Sequence, residues 1–99
     1  MTFLPTVDGG RTVPPFLNGR GYRPGVREVN ATSETTFGVG FDSGPVTFSL
    51  GDTVEATFLV IAWPDPSCHW LDVGAEFDIC EGGIKVGSGV VASAWVQDD

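Results

Sequence analysis

Apolar residues in this chain recur at every second position, and no stretch sustains a helical period for more than one turn. In Thr53–Trp63, Val54, Ala56, Phe58, Val60 and Ala62 fall on one side, with Glu55 and Thr57 on the other. Beyond Thr57 both sides are apolar, the pattern of a strand covered on both faces. Phe77 and Ile79 alternate with Glu76, Asp78 and Cys80, which predicts a half-exposed strand. Further on, Ile84, Val86, Val90, Ala92, Ala94 and Val96 share one predicted face. Shorter strands are expected over Thr2–Val7, Val26–Ala31, Thr36–Phe41 and Val46–Leu50.

Turn residues separate these runs. Asp8-Gly9-Gly10, Ser43-Gly44-Pro45, Gly51-Asp52 and Glu81-Gly82-Gly83 supply positive φ and side chains that bond their own backbone. Pro64 and Pro66 end the longest run, because proline cannot donate to a ladder. The segment Gly9–Pro24 holds Pro14, Pro15 and Pro24, and is expected to cross the domain as ordered coil. Six or seven short strands in 99 residues predict one all-β domain spanning 1–99, a small antiparallel barrel or sandwich.

The charge is divided along the chain. Up to Arg27, one acid (Asp8) stands against Arg11, Arg20, Arg23 and Arg27. From Glu28 onward, twelve acids stand against Lys85 alone, and the net charge is −8. Such a body repels phosphate backbones, because nucleic-acid affinity comes from cations that displace counterions. Contact with RNA through the arginine-rich segment is the remaining route. No apolar run reaches the ~20 residues of a membrane span. Met1–Pro5 has neither the basic start nor the apolar core of a secretory signal, so a cytoplasmic protein is expected.

Catalytic constellations are nearly missing from the sequence. His69, the only histidine, follows Cys68, and Cys80 lies twelve positions on. An imidazole-activated thiolate needs contact in space and a depressed pKa, and adjacency in sequence supplies neither. Cys68, His69, Cys80 and Asp78 are zinc-ligand types without the paired short spacing of zinc sites. A Cys68–Cys80 disulfide is disfavoured in a reducing compartment. Glu76 and Asp78 on one strand face read as a solvated surface. There is no GxxxxGK[ST] loop and no GxGxxG, and Gly87-Ser88-Gly89 inside a strand reads as close backbone packing or a bulge. The expectation is no enzyme, no metal, no cofactor and no GTP.

Three segments taken together carry a resemblance. They are Asp8-Gly9-Gly10-Arg11 running into Pro15-Phe16-Leu17 and Gly21-Tyr22-Arg23-Pro24; the Leu50-Gly51-Asp52 turn; and Phe77–Gly83 followed by Val86-Gly87-Ser88-Gly89-Val90-Val91. In order and spacing, from Met1 to about Val96, the chain resembles the C-terminal domain (domain 3) of elongation factor Tu. The resemblance implies a six-stranded Greek-key barrel that has no catalytic role, holds the T-stem of aminoacyl-tRNA and docks on protein partners.

The resemblance also assigns positions. Arg11 stands where the family has an arginine that reaches tRNA phosphate, and Glu81 and Gly82 match the turn that touches the T-stem; Arg23 is a further candidate RNA contact. Gly25 replaces a glutamine, Glu34 a threonine, Val26–Asn30 an aromatic-rich strand, and Cys80 and Ile84 two arginines. These changes remove cations and add a carboxylate, so tRNA binding is expected to be weak at most. The expected function is therefore a protein-binding module connected with translation, with tRNA binding as the alternative. Trp63, Trp70 and Trp95 are the candidate interface aromatics.

Overall fold

Strands form where alternation and turn residues coincide. The structure, a computed structural model, describes residues 1–4, 12–19, 21–29, 36–61 and 70–94. Within these lie β1 (Thr2–Phe3), β2 (Gly25–Glu28), β3 (Phe37–Ser43), β4 (Thr57–Val60), β5 (Glu76–Glu81) and β6 (Ile84–Val90). All pairings are antiparallel, in the order β1-β6-β5-β2-β3-β4. Strands β2, β3 and β4 follow one another, and β5 returns by a long connection to lie beside β2, which is a Greek key. The sheet curls, and its two ends are tied where the chain entering β4 passes β1. Thr2 bridges Thr53, and Met1 and Val54 exchange both backbone hydrogen bonds, at 2.7 and 2.8 Å. This is the small all-β barrel that the alternation predicts. Among the described residues, no helix is long and apolar enough to cross a membrane.

Phe3, Leu17, Val26, Val39, Phe41, Phe77, Ile79 and Val86 fill the interior. Burying each such side chain contributes roughly 1.5–3 kcal/mol. Leu17 belongs to the described part of the expected coil crossing, which is pinned from both directions. Gly19 N–H donates to Asp42 O, while Asn18 Nδ2 donates to Gly44 O and its Oδ1 accepts from Gly44 N–H. Turn chemistry also follows the sequence: Gly82 (φ 58°) and Gly83 (φ 83°) form the two-residue hairpin joining β5 to β6, with positive φ at both central positions.

Of the two readings of Gly87-Ser88-Gly89, close backbone packing holds, while the bulge falls one residue earlier and all three residues pair regularly with Ile79, Asp78 and Phe77. The β5–β6 register shifts between Ile79 and Cys80, making Val86 the extra residue of a bulge. A Cβ on Gly89 would lie 2.6 Å from Phe77 Cζ and 2.9 Å from Met1 Cβ, so the backbone there packs directly on core side chains.

Four expectations are corrected. Val46–Leu50 forms no strand; it turns, with Val46 exposed and Phe48 half-buried. Of Thr53–Trp63, Ala62 and Trp63 lie outside the described residues and the regular ladder of the rest is Thr57–Val60; β4 is half-buried throughout because its second edge carries no strand among the described residues. The bulge at Val86 turns Val90 onto the outer face, and Ile84, beside the β5–β6 hairpin, is exposed as well. Finally, β5 is not half-exposed: Asp78 and Cys80, on its outer face, are buried as well.

Candidate functional site

Two regions carry chemistry, and the outer face of β2, β5 and β6 is the more polar. In the ladder Arg27 stands opposite Asp78, and Lys85 stands opposite Cys80, the next outward residue along β5. The Asp78 carboxylate accepts a hydrogen bond from Arg27 Nη2 at 3.3 Å on one oxygen and forms an ion pair with Lys85 Nζ at 3.1 Å on the other. These long side chains lie across the strand and leave Asp78 8% exposed. The solvated acidic face expected for Glu76 and Asp78 is thus half wrong, since only Glu76 is exposed. Burial pushes the Cys80 thiol up from its ordinary value. Arg27 opposes that shift, Asp78 reinforces it, and Lys85 opposes it. A thiol held protonated is the reverse of an activated nucleophile. Cys68 and His69 lie outside the described residues, and so does the question of their contact with Cys80. Among the described residues, no three His, Cys, Asp or Glu side chains are grouped as a metal site.

Of the candidate RNA contacts, Arg11 lies outside the described residues, as does Glu34. Glu81 and Gly82 sit together at the β5–β6 hairpin, as their adjacency requires. The Glu81 carboxylate is engaged within the protein, accepting a hydrogen bond from the Tyr22 hydroxyl at 2.5 Å. That bond brings the segment carrying exposed Arg23 against the same hairpin. Gly82 serves the hairpin through its backbone conformation. Gly25 pairs with Cys80 inside the sheet.

Of the candidate interface aromatics, only Trp70 is described. It is half-buried and meets Phe37 edge to face, with ring centroids 5.8 Å apart. Trp70 is therefore packed against the core, while Trp63 and Trp95 lie outside the described residues.

The second region was not singled out as an interface in the sequence. Pro14, Pro15 and Phe16 face Val46, Thr47 and Phe48 across a shallow groove of about 300 Å³. A smaller hollow of about 230 Å³, lined by Pro15, Phe16, Gly21 and Tyr22, lies on the other side of Phe16. Phe16 and Val46 are 61% and 76% exposed, so the groove is lined on both sides by a large apolar side chain facing water. Two consecutive prolines before an aromatic residue were the available signal, because they hold Phe16 on a stiff segment. The surface can bind an apolar partner and contains no acid–base pair. No family model matches the chain, and no curated protein matches it.

Proposed function

We propose that this chain is a non-enzymatic interaction module, a barrel of the kind found as domain 3 of elongation factor Tu, that docks a protein partner connected with translation. The observation that carries the reading is the exposure of Phe16 and Val46 on the two sides of one groove. Apolar side chains grouped at the surface mark interaction sites more reliably than scattered ones. The link to translation rests on the resemblance of the three sequence segments. The alternative, a weak tRNA-binding module, is disfavoured by charge. The net charge is −8, and Arg27 and Lys85 are both committed to Asp78.

The test is a pull-down from cytosolic extract with the tagged chain, with and without RNase, at two salt concentrations. A protein retained through RNase treatment and high salt, and lost with Phe16→Asp or Val46→Asp, is the expected result. Removing one such anchor takes away roughly 2 kcal/mol of apolar burial, about a thirtyfold loss of affinity. RNA that is retained at low salt and released at high salt would replace the protein-docking reading with the tRNA one.

A further inference from the structure

Asn18-Gly19 is the one Asn-Gly pair in the sequence, and it lies where the coil crossing is clamped to the end of β3. The Asn18 amide donates from Nδ2 to Gly44 O at 3.1 Å and accepts at Oδ1 from Gly44 N–H at 3.3 Å. Gly19 N–H donates to Asp42 O at 3.2 Å. Leu17, next to the clamp, is fully buried, and a Cβ on Gly44 would lie 2.9 Å from Leu17 Cβ, so the two segments touch directly. Further along, Tyr22 O accepts from Phe41 N–H and Pro24 O from Val39 N–H, which holds the rest of the crossing to β3 independently of the clamp.

An asparagine followed by glycine carries its own reagents. The backbone nitrogen of Gly19 attacks Asn18 Cγ, and glycine has no side chain to obstruct the approach. The N–Cγ bond forms, the Cγ–Nδ2 bond breaks, and ammonia leaves with the proton taken from the attacking nitrogen. Water then opens the five-membered imide at one of its two carbonyls, giving aspartate or isoaspartate at position 18. Nothing is oxidised or reduced, and solvent water is the only co-reactant. Gly19 is exposed, so water reaches the imide.

The folded geometry opposes the first step. Both polar atoms of the Asn18 amide are held by Gly44, and the proton on the attacking nitrogen is committed to Asp42 O. Ring closure therefore runs through the molecules in which the clamp has opened. We propose that Asn18-Gly19 is a self-modification site, at which deamidation converts transient opening of the clamp into permanent release of the coil crossing from the end of β3. The aspartate product keeps an acceptor and loses the donor, which drives a carboxylate oxygen against the Gly44 carbonyl. The isoaspartate product also adds one backbone methylene between buried Leu17 and the Gly19–Asp42 bond, so the two can no longer hold their present spacing. The clamp lies two residues after Phe16 and two before Val46, and its release loosens the two walls of the groove from each other. The site stands whether or not that groove docks a partner.

The test follows position 18 by peptide mapping that separates asparagine, aspartate and isoaspartate, in the folded chain and in unfolding concentrations of urea at one mildly alkaline pH. In urea, Asn18 should convert ahead of Asn30, whose neighbour Ala31 carries a methyl group. In the folded chain, conversion at position 18 should be about tenfold or more slower than in urea. The isolated deamidated chain should exchange its Gly19 and Gly44 amides about fivefold or more faster than the unreacted chain, with the Phe41 amide unchanged. Asn18→Asp should move the same two amides in the same direction by less, because it lacks the added methylene. Conversion in urea no faster than at Asn30 overturns the site, and equal rates in the folded chain and in urea overturn the shielding by the clamp. Unchanged exchange at Gly19 and Gly44 after conversion overturns the release.

Discussion

Tyr22 and Glu81, 59 positions apart, are joined by a hydrogen bond from the phenol to the carboxylate at 2.5 Å. The bond ties the Gly21–Pro24 segment to the β5–β6 hairpin. The Tyr22 ring lies among Phe3 and Phe41, with centroids 6.0 and 5.4 Å away, so its hydroxyl is held in place by the core. A glutamate that reads as an RNA contact in sequence thus has work inside the barrel. Tyr22→Phe keeps the ring packing and removes one hydrogen bond to a charged acceptor. It should cost about 1–2 kcal/mol, and Glu81→Gln less. Urea unfolding of both single variants and the double variant measures the coupling; strictly additive losses would mean that the bond contributes nothing.

Asp78 is the most consequential polar residue described. Removing its charge by Asp78→Ala leaves Arg27 and Lys85 facing each other over a buried gap. Breaking a buried pair from one side is more damaging than its net worth, so a loss of about 2–3 kcal/mol is expected. Lys85→Met should cost under about 1 kcal/mol, because the lysine side chain is 44% exposed and its pair is screened. Chemical denaturation that ranks Lys85→Met as costlier than Asp78→Ala would refute this ordering.

Elements whose signal is local were legible in the sequence. The Gly82-Gly83 hairpin, the strands around Val39–Phe41 and Phe77–Ile79, and the coil through Leu17 all follow from turn chemistry and period-two burial. What was not legible depends on partners far away in the chain. Alternation places Asp78 on an outer face. It does not say that Arg27, 51 positions earlier, folds over it. The apolar run after Thr57 implies cover on both sides, but β4 ends the sheet among the described residues and is half-buried. A single bulge at Val86 was enough to turn Val90 out of its predicted face. The Phe16 groove brings together Pro14–Phe16 and Val46–Phe48, and no local pattern connects them.

The glycines of β6 should respond differently from those of the hairpin. Gly89→Ala drives a methyl to 2.6 Å from Phe77 Cζ, between that ring and Met1. Overpacking of this kind costs about 1–3 kcal/mol, and Phe77→Leu in the same chain should restore part of it. At Gly82, nothing lies within 4 Å of an added Cβ, and the penalty is the strain of φ +58° alone. Gly82→Ala should therefore cost about 1 kcal/mol, and Gly82→Asn less, since asparagine tolerates this conformation. Thermal melts of the four variants check the prediction. If Phe77→Leu deepens the defect of Gly89→Ala, the steric account of Gly89 is wrong.

Cys80 should make stability fall in alkali. Burial raises its folded-state pKa above the ordinary 9.0. Above that pH, the unfolded chain has released the thiol proton while the folded chain still holds it. Folding stability is then fully present below pH 9 and is lost as pH rises toward the folded value, by at most about 1.4 kcal/mol per pH unit. In a Cys68→Ser background, the folded protein should resist a thiol reagent at pH 8 and react once it is unfolded. Cys80→Ala removes the titrating group and should flatten the decline between pH 9 and 10, at the cost of about 1 kcal/mol of packing at all pH values. The measurement is urea unfolding at pH 7, 8, 9 and 10 for both chains. An equally steep decline in Cys80→Ala would assign the alkaline loss to other groups and leave the buried thiol without a titrating role.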